Sequence, residues 1–218
     1  MSDTVDQPHL IQHTVAPHPV LAARLADRQL AHRAIMAAHS DSSLGPEPRA
    51  RAQCLWHYEE HNGMLIVQSA ATVRPEVLGE PRAMTQVRFP GPGESLRVTI
   101  AVAIQKSPMV KIPDELRRVL KAEGGGCYRP RLVVVPEAER FGWFANRLAQ
   151  RGFAVDPGSL ELSPLTYADL GRRGGGIPYV EAVCDGQVTD APAFAAAIRA
   201  GIGKGRNFGL GLFRLRQV

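Results

Sequence analysis

The order of strand-like and helix-like segments restricts the fold of this 218-residue sequence more than any other feature. Residues 9–16 have the length and β-branched content of a strand, and residues 20–39 carry apolar side chains at helical spacing. Two short apolar runs flank the turn at 61–63 and predict a β-hairpin. Residues 75–92 are rich in turn formers with at most a short helix, and 95–104 alternate as a strand. The first half is therefore predicted to follow a βαββαβ pattern.

The same order of segments recurs after residue 130. The predicted elements of this half are a strand at 131–135, a helix that opens at Pro136, paired strands at 160–167 and 177–184, a helix at 192–200 between Asp190 and Gly201, and a strand at 208–216. We therefore expect an α+β protein of two tandem ferredoxin-like (βαββαβ) domains that resemble RNA-recognition motifs. The domains are expected at 1–107 and 131–218. A basic linker with a Gly-Gly-Gly triplet joins them at 108–130. Two interpretations of this linker stay open, a solvated connecting segment or a flap over an RNA groove.

The charge balance is compatible with a polyanionic partner but does not require one, since the net charge is +5 and the pI is near 9.4. Three widely spaced cysteines without a Cys-x-x-Cys pair argue against a disulfide framework or a cysteine zinc site. We therefore expect a reducing, cytoplasmic location. The acidic start lacks the pattern of a signal peptide, and no run of about 18 apolar residues predicts a membrane span.

Neither a metal nor another cofactor is expected. All seven histidines fall within the first 61 residues, and two pairs of them lie close together in sequence. His9 and His13 share a strand face, and His57 and His61 lie near one hairpin. No carboxylate or cysteine completes a metal-ligand spacing around either pair. Trp56 and Trp143 are interpreted as core anchors rather than platforms for base stacking.

The most unusual segment is the C-terminal string GIGKGRNFGLGL, residues 201–212. A phosphate-binding P-loop is excluded because Lys204 precedes glycine instead of serine or threonine, and because the string follows a helix. Two interpretations stay open. The bare backbone could approach a phosphate closely, with Lys204 and Arg206 adding charge. Alternatively, Gly201 ends a helix, and the strand that follows carries Gly209 and Gly211 on one face, which lets a helix pack close to it.

The glycine-rich string resembles the signature of CRISPR repeat-processing endoribonucleases, and the whole chain is most similar to the CasE family of type I-E systems. Short segments agree in the same order along the chain: Ala-His-Arg-Ala at 31–34, Leu-Ile-Val-Gln-Ser at 65–69, and the strand at 182–183 that leads through Asp-Gly into the last helix. The resemblance implies cleavage of CRISPR transcripts at the base of the repeat hairpin without a metal. It also implies that the protein stays on the mature guide RNA beside other Cascade subunits.

The resemblance places His32 at the catalytic position of that family. Cleavage by the 2′-hydroxyl of the RNA needs a base, an acid for the departing 5′-oxygen, and cations around the phosphate. An imidazole titrates near neutral pH and can do either proton transfer. Arg28 lies one helical turn before His32, and a cation at that distance favours the neutral ring. Without the resemblance, a lone helical histidine would be interpreted as a partly buried structural ring.

The sequence departs from the family pattern at Gln29, where a tyrosine is common three residues before the histidine. Glutamine can orient a phosphate or ribose but cannot transfer a proton. The second proton-transfer role therefore stays open among Lys204, Arg28 and a water molecule. The strand end at 101–104 also lacks the arginine and asparagine common in the family. Slower turnover, altered repeat specificity, or binding without catalysis would each fit these changes.

A basic loop at 169–176 joins two predicted strands, and the resemblance implies that its arginines grip the RNA stem. The alternative is an ordinary exposed turn. The residues expected to bind RNA are Arg28, Arg33, Arg172, Arg173, Gly203, Lys204, Gly205 and Arg206. The sequence thus predicts a metal-independent endoribonuclease specific for CRISPR repeat hairpins. The alternatives are a non-catalytic RNA-binding subunit, or a structural module with no affinity for RNA.

Overall fold

The computed structural model describes residues 9–39, 48–107, 113–115, 118–119, 132–171 and 175–218. Two antiparallel sheets dominate these residues, and helices pack on each sheet. Most of the predicted linker, 108–130, lies outside the described residues. Among the helices that are described, none is long and apolar enough to cross a membrane.

The first sheet has the strand order β2-β3-β1-β4, with all neighbours antiparallel. Its elements are β1 (Ile11–Pro17), α1 (Pro19–Ala22), α2 (Arg28–Ala37), α3 (Pro48–Arg51), β2 (Leu55–Glu59), β3 (Met64–Ser69), a 3₁₀ turn (Pro75–Val77) and β4 (Gly79–Gln86). The first and third strands lie at the centre, as a ferredoxin-like βαββαβ unit requires. A single 3₁₀ turn replaces the second helix.

Two predictions for this half were incomplete. The helix expected at 20–39 is interrupted, because Asp27 caps a new helix by accepting hydrogen bonds from the backbone N–H groups of Gln29 and Leu30. The turn-rich segment at 75–92 contains the strand β4, which the sequence did not predict. Every residue of β4 after Gly79 is exposed, so no alternation of buried and exposed side chains was present to indicate a strand.

The second sheet has the order β10-β11-β5-β12, and the short strands β8 and β9 continue the β10 edge of β11. Its elements are β5 (Ser95–Ala103), α4 (Arg140–Ala149), β8 (Phe153–Val155), β9 (Glu161–Leu162), β10 (Thr166–Asp169), β11 (Gly176–Val188), α5 (Ala191–Ala200) and β12 (Arg214–Gln217). A separate two-stranded pair consists of β6 (Gln105–Lys106) and β7 (Val133–Val134). The first and third strands of this unit, β5 and β11, are again central, so both units have the expected topology.

The assignment of the strand at 95–104 to the first half is wrong. This strand is β5, and it pairs with β11 and β12 in the second sheet. The segment at 131–135, predicted to open the second unit, forms only the short strand β7. Alternating apolar residues identify a strand but not its partner, and this ambiguity caused the error. We therefore propose a boundary between β4 and β5, near residues 87–94, instead of one after residue 107.

Each sheet buries its own core. Helix α2 packs on the first sheet around Trp56, and α4 and α5 pack on the second sheet around stacked Phe153 and Phe194. Burial raises the pKa of the free thiols Cys54 and Cys184 to about 12, which leaves both protonated and unreactive at neutral pH. Cys127 lies outside the described residues.

Candidate functional site

His32 lies on the second turn of α2 and is half-buried. Its Nδ1 atom is shielded from solvent and has no hydrogen-bond partner among the described residues. Burial lowers the pKa of His32, and the nearby charges of Arg49 and His39 lower that pKa further. The ring is therefore neutral at neutral pH and can accept a proton.

The cation that favours the neutral ring is Arg49, not Arg28 as the helical spacing had indicated. Arg28 is only 6% exposed. Its guanidinium lies 5.5 Å from the centre of the Trp56 ring and against the Tyr179 hydroxyl. Arg28, one of the residues expected to bind RNA, is thus buried between the two units.

The other predicted residues of α2 lie closer to the surface. Arg33 is exposed beside a groove between α1 and α2. Gln29 is partly buried, and its backbone N–H donates to the Asp27 side chain. Both residues therefore lie within one helical turn of His32.

The glycine-rich segment folds into a compact turn between the two sheets. Gly201 ends α5, as predicted, and residues 206–208 form a 3₁₀ turn that includes the first residue of the strand predicted at 208–216. Two neighbouring side chains of β2 contact its backbone: Trp56 Nε1 donates to the Asn207 carbonyl at 3.1 Å, and His57 Nδ1 lies 3.3 Å from the Gly209 carbonyl. The strand predicted at 208–216 is shorter in the structure and consists of β12 alone, because the residues before β12 belong to this turn.

Glycine is required in this turn for two reasons, which Gly209 illustrates. Its φ of +77° is in the left-handed region, and a Cβ there would lie 2.8 Å from the Trp56 ring. The backbone therefore packs directly on an aromatic face. Close packing of this kind was one of the two interpretations of the string. The partner is a tryptophan of the first sheet and not a helix.

The same turn contacts α2, the helix that carries His32, through Arg206–Phe208. Lys204 is exposed at the turn. Arg206 Nη1 donates to the Ala200 carbonyl at 3.0 Å, which directs this side chain back to the end of α5. The fold thus places Gly203, Lys204 and Gly205 in the segment that packs beside the His32 helix.

A chain of charged groups joins the two units next to this turn. His57 Nε2 lies 3.2 Å from a Glu181 oxygen, and Arg214 donates to Glu181 at 3.0 Å and to Glu59 at 2.8 Å. The hydrogen bond with His57 is the largest cause of a fall in the pKa of Glu181 to about 2, and Arg214 adds to it. Glu181 is therefore ionised at all physiological pH values.

Sequence reasoning missed this network. Its signal was present as charged residues within the predicted strands, Glu181 in the strand at 177–184 and Arg214 in the strand at 208–216. The described residues contain no group of three or more metal-ligating side chains.

The tip of the basic loop, with Arg172 and Arg173, lies outside the described residues. The base of that loop is described. Strands β10 and β11 pair up to Asp169 and Gly176, and a Cβ on Gly171 would lie 2.4 Å from an Asp27 carboxylate oxygen. The hairpin therefore starts beside the first turn of α2.

A family model described as CRISPR associated protein matches residues 9–217. The chain belongs to this family. Among curated proteins, this CRISPR-associated protein is 25% identical over 178 residues to the CRISPR system Cascade subunit CasE of Escherichia coli (strain K12). The match covers 78% of this chain and 85% of the relative. The resemblance to CasE proposed from the sequence is thus confirmed.

Solved structures confirm the fold of this CRISPR-associated protein. CRISPR endoribonuclease Cse3 bound to a 19-nucleotide RNA has a TM-score of 0.76 at 20% identity, covering 96% of this chain and 99% of the other. Thermus thermophilus Cse3 bound to an RNA that represents a pre-cleavage complex has a TM-score of 0.75 at 21% identity, covering 95% and 99%. Cas6e from Escherichia coli has a TM-score of 0.66 at 18% identity, covering 96% and 100%.

Proposed function

We propose that this protein is an endoribonuclease that cleaves CRISPR repeat hairpins in precursor transcripts and retains the mature guide RNA as a Cascade subunit. The observation that carries the proposal is the state of His32, a neutral ring whose Nδ1 has no partner among the described residues, on a helix packed against the glycine-rich turn. The relatives named above are a Cascade subunit and RNA-bound endoribonucleases, which supports the same conclusion.

The reaction requires no metal in this proposal. The 2′-oxygen attacks the neighbouring phosphorus as its proton passes to His32, the bond from phosphorus to the 5′-oxygen breaks, and that oxygen takes up a proton from Lys204 or from a water molecule. The products carry a 2′,3′-cyclic phosphate and a 5′-hydroxyl. Lys204, exposed on the glycine-rich turn, supplies positive charge for the phosphate. Arg28 is not a candidate for the second proton transfer, because it is buried against Trp56 and because arginine keeps its proton.

Binding of the stem is assigned to the hairpin tip, with Arg172 and Arg173, and to Arg33 and the backbone around Gly203 and Gly205. Paired arginines suit duplex RNA, which presents phosphates and hydroxyl groups more readily than base edges. The contact of Gly171 with Asp27 supports this role, since it starts the hairpin beside the helix of His32.

We further propose a cytoplasmic location, where thiols stay reduced. The free, buried Cys54 and Cys184 support it.

The test is cleavage of the cognate repeat RNA in EDTA. The native protein should give products with cyclic phosphate ends, and His32→Ala should lower the single-turnover rate by at least about 100-fold. His9→Ala, a change of an exposed histidine just before β1, is the matched control and should cleave normally. A 2′-deoxy substitution at the cleaved nucleotide should stop cleavage and leave binding intact. Full activity of the His32 variant, or strict dependence on Mg²⁺, would contradict the mechanism.

Gln29 favours a second candidate, a subunit of the same complex that binds the hairpin without cleaving it. The tyrosine common at this position in the family can act as an acid or base, whereas glutamine cannot transfer a proton. Tight, salt-sensitive binding with no product after long incubation would select this candidate.

A further inference from the structure

A cavity of about 310 Å³ lies between the two units, and the side chain of Arg28, which extends from α2, lines it. Its walls come from α2, the β2–β3 hairpin and the β10–β11 hairpin, and include Arg28, Tyr58, Glu60, Thr166, Tyr179 and Glu181. We propose that this interdomain cavity binds one unpaired nucleobase of the RNA substrate. The inference rests on the proposed function, in which the protein binds RNA, and adds a binding site for a single base.

Arg28 is the first argument for a ligand. It is 6% exposed, and its Nη1 atom has no hydrogen-bond acceptor among the described residues. A buried N–H group without an acceptor costs free energy, so such a group in a cavity wall favours an occupant that brings an acceptor. Nη1 is shielded from solvent, so binding of a base requires the guanidinium to shift over the Trp56 ring before the base reaches it.

The charges of the cavity select the class of ligand. Two arginines, Arg28 and Arg214, face three carboxylates, Glu59, Glu60 and Glu181, so these five charges sum to 2 − 3 = −1. A phosphate would meet no excess of positive charge there. A nucleobase is neutral and carries acceptors and donors on one edge, which match a guanidinium and a carboxylate respectively.

The size and the aromatic residues agree with this assignment. The cavity has the volume of a small-molecule site, and Tyr58 and Tyr179, both partly buried, line it. A base that leaves its stack regains stacking energy on an aromatic side chain. Glu60 is exposed at the rim and is available to accept an N–H of the base edge.

An abasic scan tests the site. Cognate repeat RNA, made uncleavable by one 2′-deoxy nucleotide, carries a single abasic residue at each unpaired position in turn, and the dissociation constant is measured for each. One position should weaken binding to the native protein about tenfold. The same substitution should cause no further loss in Arg28→Gln or in Glu60→Gln, because the pocket is already impaired.

Glu60→Gln keeps the experiment decisive if Arg28→Gln does not fold, since Glu60 is an exposed residue. Arg97→Gln is the matched control. Arg97 is an exposed arginine paired with Asp185 on the second sheet, and its variant should keep the full tenfold loss. If native protein binds and cleaves the repeat but no abasic position behaves differently in the Glu60 variant, the nucleobase site is wrong and the proposed function stands. If native protein binds no repeat RNA, both are wrong.

Discussion

At the scale of single residues, the chemistry depends on the neutral state of His32. Burial and the charges of Arg49 and His39 lower the pKa of this ring, so it takes up a proton only below its ordinary value of about 6.5. We expect the cleavage rate to rise with pH at acidic pH and to level off before about pH 6.5. Single-turnover rates across this range measure the inflection.

Arg49→Gln should move that inflection to higher pH, since loss of a nearby cation makes protonation of the ring easier. Arg51→Gln removes an exposed arginine of the same short helix and serves as the matched control. An inflection that shifts equally in both variants would mean that Arg49 has no specific effect on His32.

A comparison of Gly209 with Gly93 separates two contributions to the free energy of unfolding, the cost of close packing and the cost of a left-handed backbone conformation. Gly209 and Gly93 have φ values of +77° and +78°, but only Gly209 has a neighbour that a Cβ would meet, the Trp56 ring at 2.8 Å. Gly93→Ala should therefore cost about 1 kcal/mol from backbone strain alone. Gly209→Ala should cost about 2–3 kcal/mol and also slow cleavage. Chemical denaturation gives both values, and equal losses would contradict the packing argument.

The sequence was informative about residues whose role is local. Asp190 and Gly201 were assigned as helix ends because capping depends on neighbours within a few positions, and the structure has both caps. The sequence could not identify Arg49 as the cation near His32, since 17 positions separate the two and only the tertiary fold brings them close. For the same reason it could not show that the packing of Trp56 and Tyr179 buries Arg28.

At the scale of elements, the network around Glu181 connects β2 to β11 and β12. Glu181→Gln removes the charge that faces both His57 and Arg214. The Glu181 side chain is 45% exposed, and solvent screening reduces the pair energy, so we expect a loss of about 1 kcal/mol in the free energy of unfolding. Glu161→Gln, at an exposed position of the same sheet, should change stability little.

The pH dependence of this contribution has a definite sign. The pKa of Glu181 falls from 4.5 to about 2 on folding. The stabilisation is therefore complete above the unfolded value and is lost as the pH falls from about 4.5 towards 2. The difference in unfolding free energy between native protein and Glu181→Gln should shrink over this range. A constant difference would assign the effect to something other than ionisation.

Sequence patterns predicted most of the helices and strands, but they did not identify every pair of neighbouring strands in the sheets. The β2–β3 hairpin and α5 were predicted because they carry both a periodic apolar face and a turn or cap. Strand β4 carries neither and was missed. Strand β5 was found but assigned to the wrong sheet, since its partner β11 lies about 80 residues further along the chain.

At the scale of the whole molecule, the two units share buried contacts besides the charged network. The fully buried Gln68 of β3 donates from Nε2 to the Ile198 carbonyl of α5 at 2.9 Å. Leu55 and Ile66 of the first sheet form one apolar cluster with Leu212, which follows the glycine-rich turn. Such an interface couples the stabilities of the two units, because unfolding either one exposes polar and apolar groups of the other.

We therefore expect both units to unfold in one cooperative transition. Each unit contains one of the two tryptophans, Trp56 in β2 and Trp143 in α4. Fluorescence of Trp143→Phe reports the first unit, and fluorescence of Trp56→Phe reports the second. Because Trp56 is a contact of the glycine-rich turn, each curve is compared with circular dichroism of the same variant. Coincident midpoints within each variant support one transition, whereas fluorescence that changes before or after the circular dichroism would show that the units unfold independently and that their interface is weak.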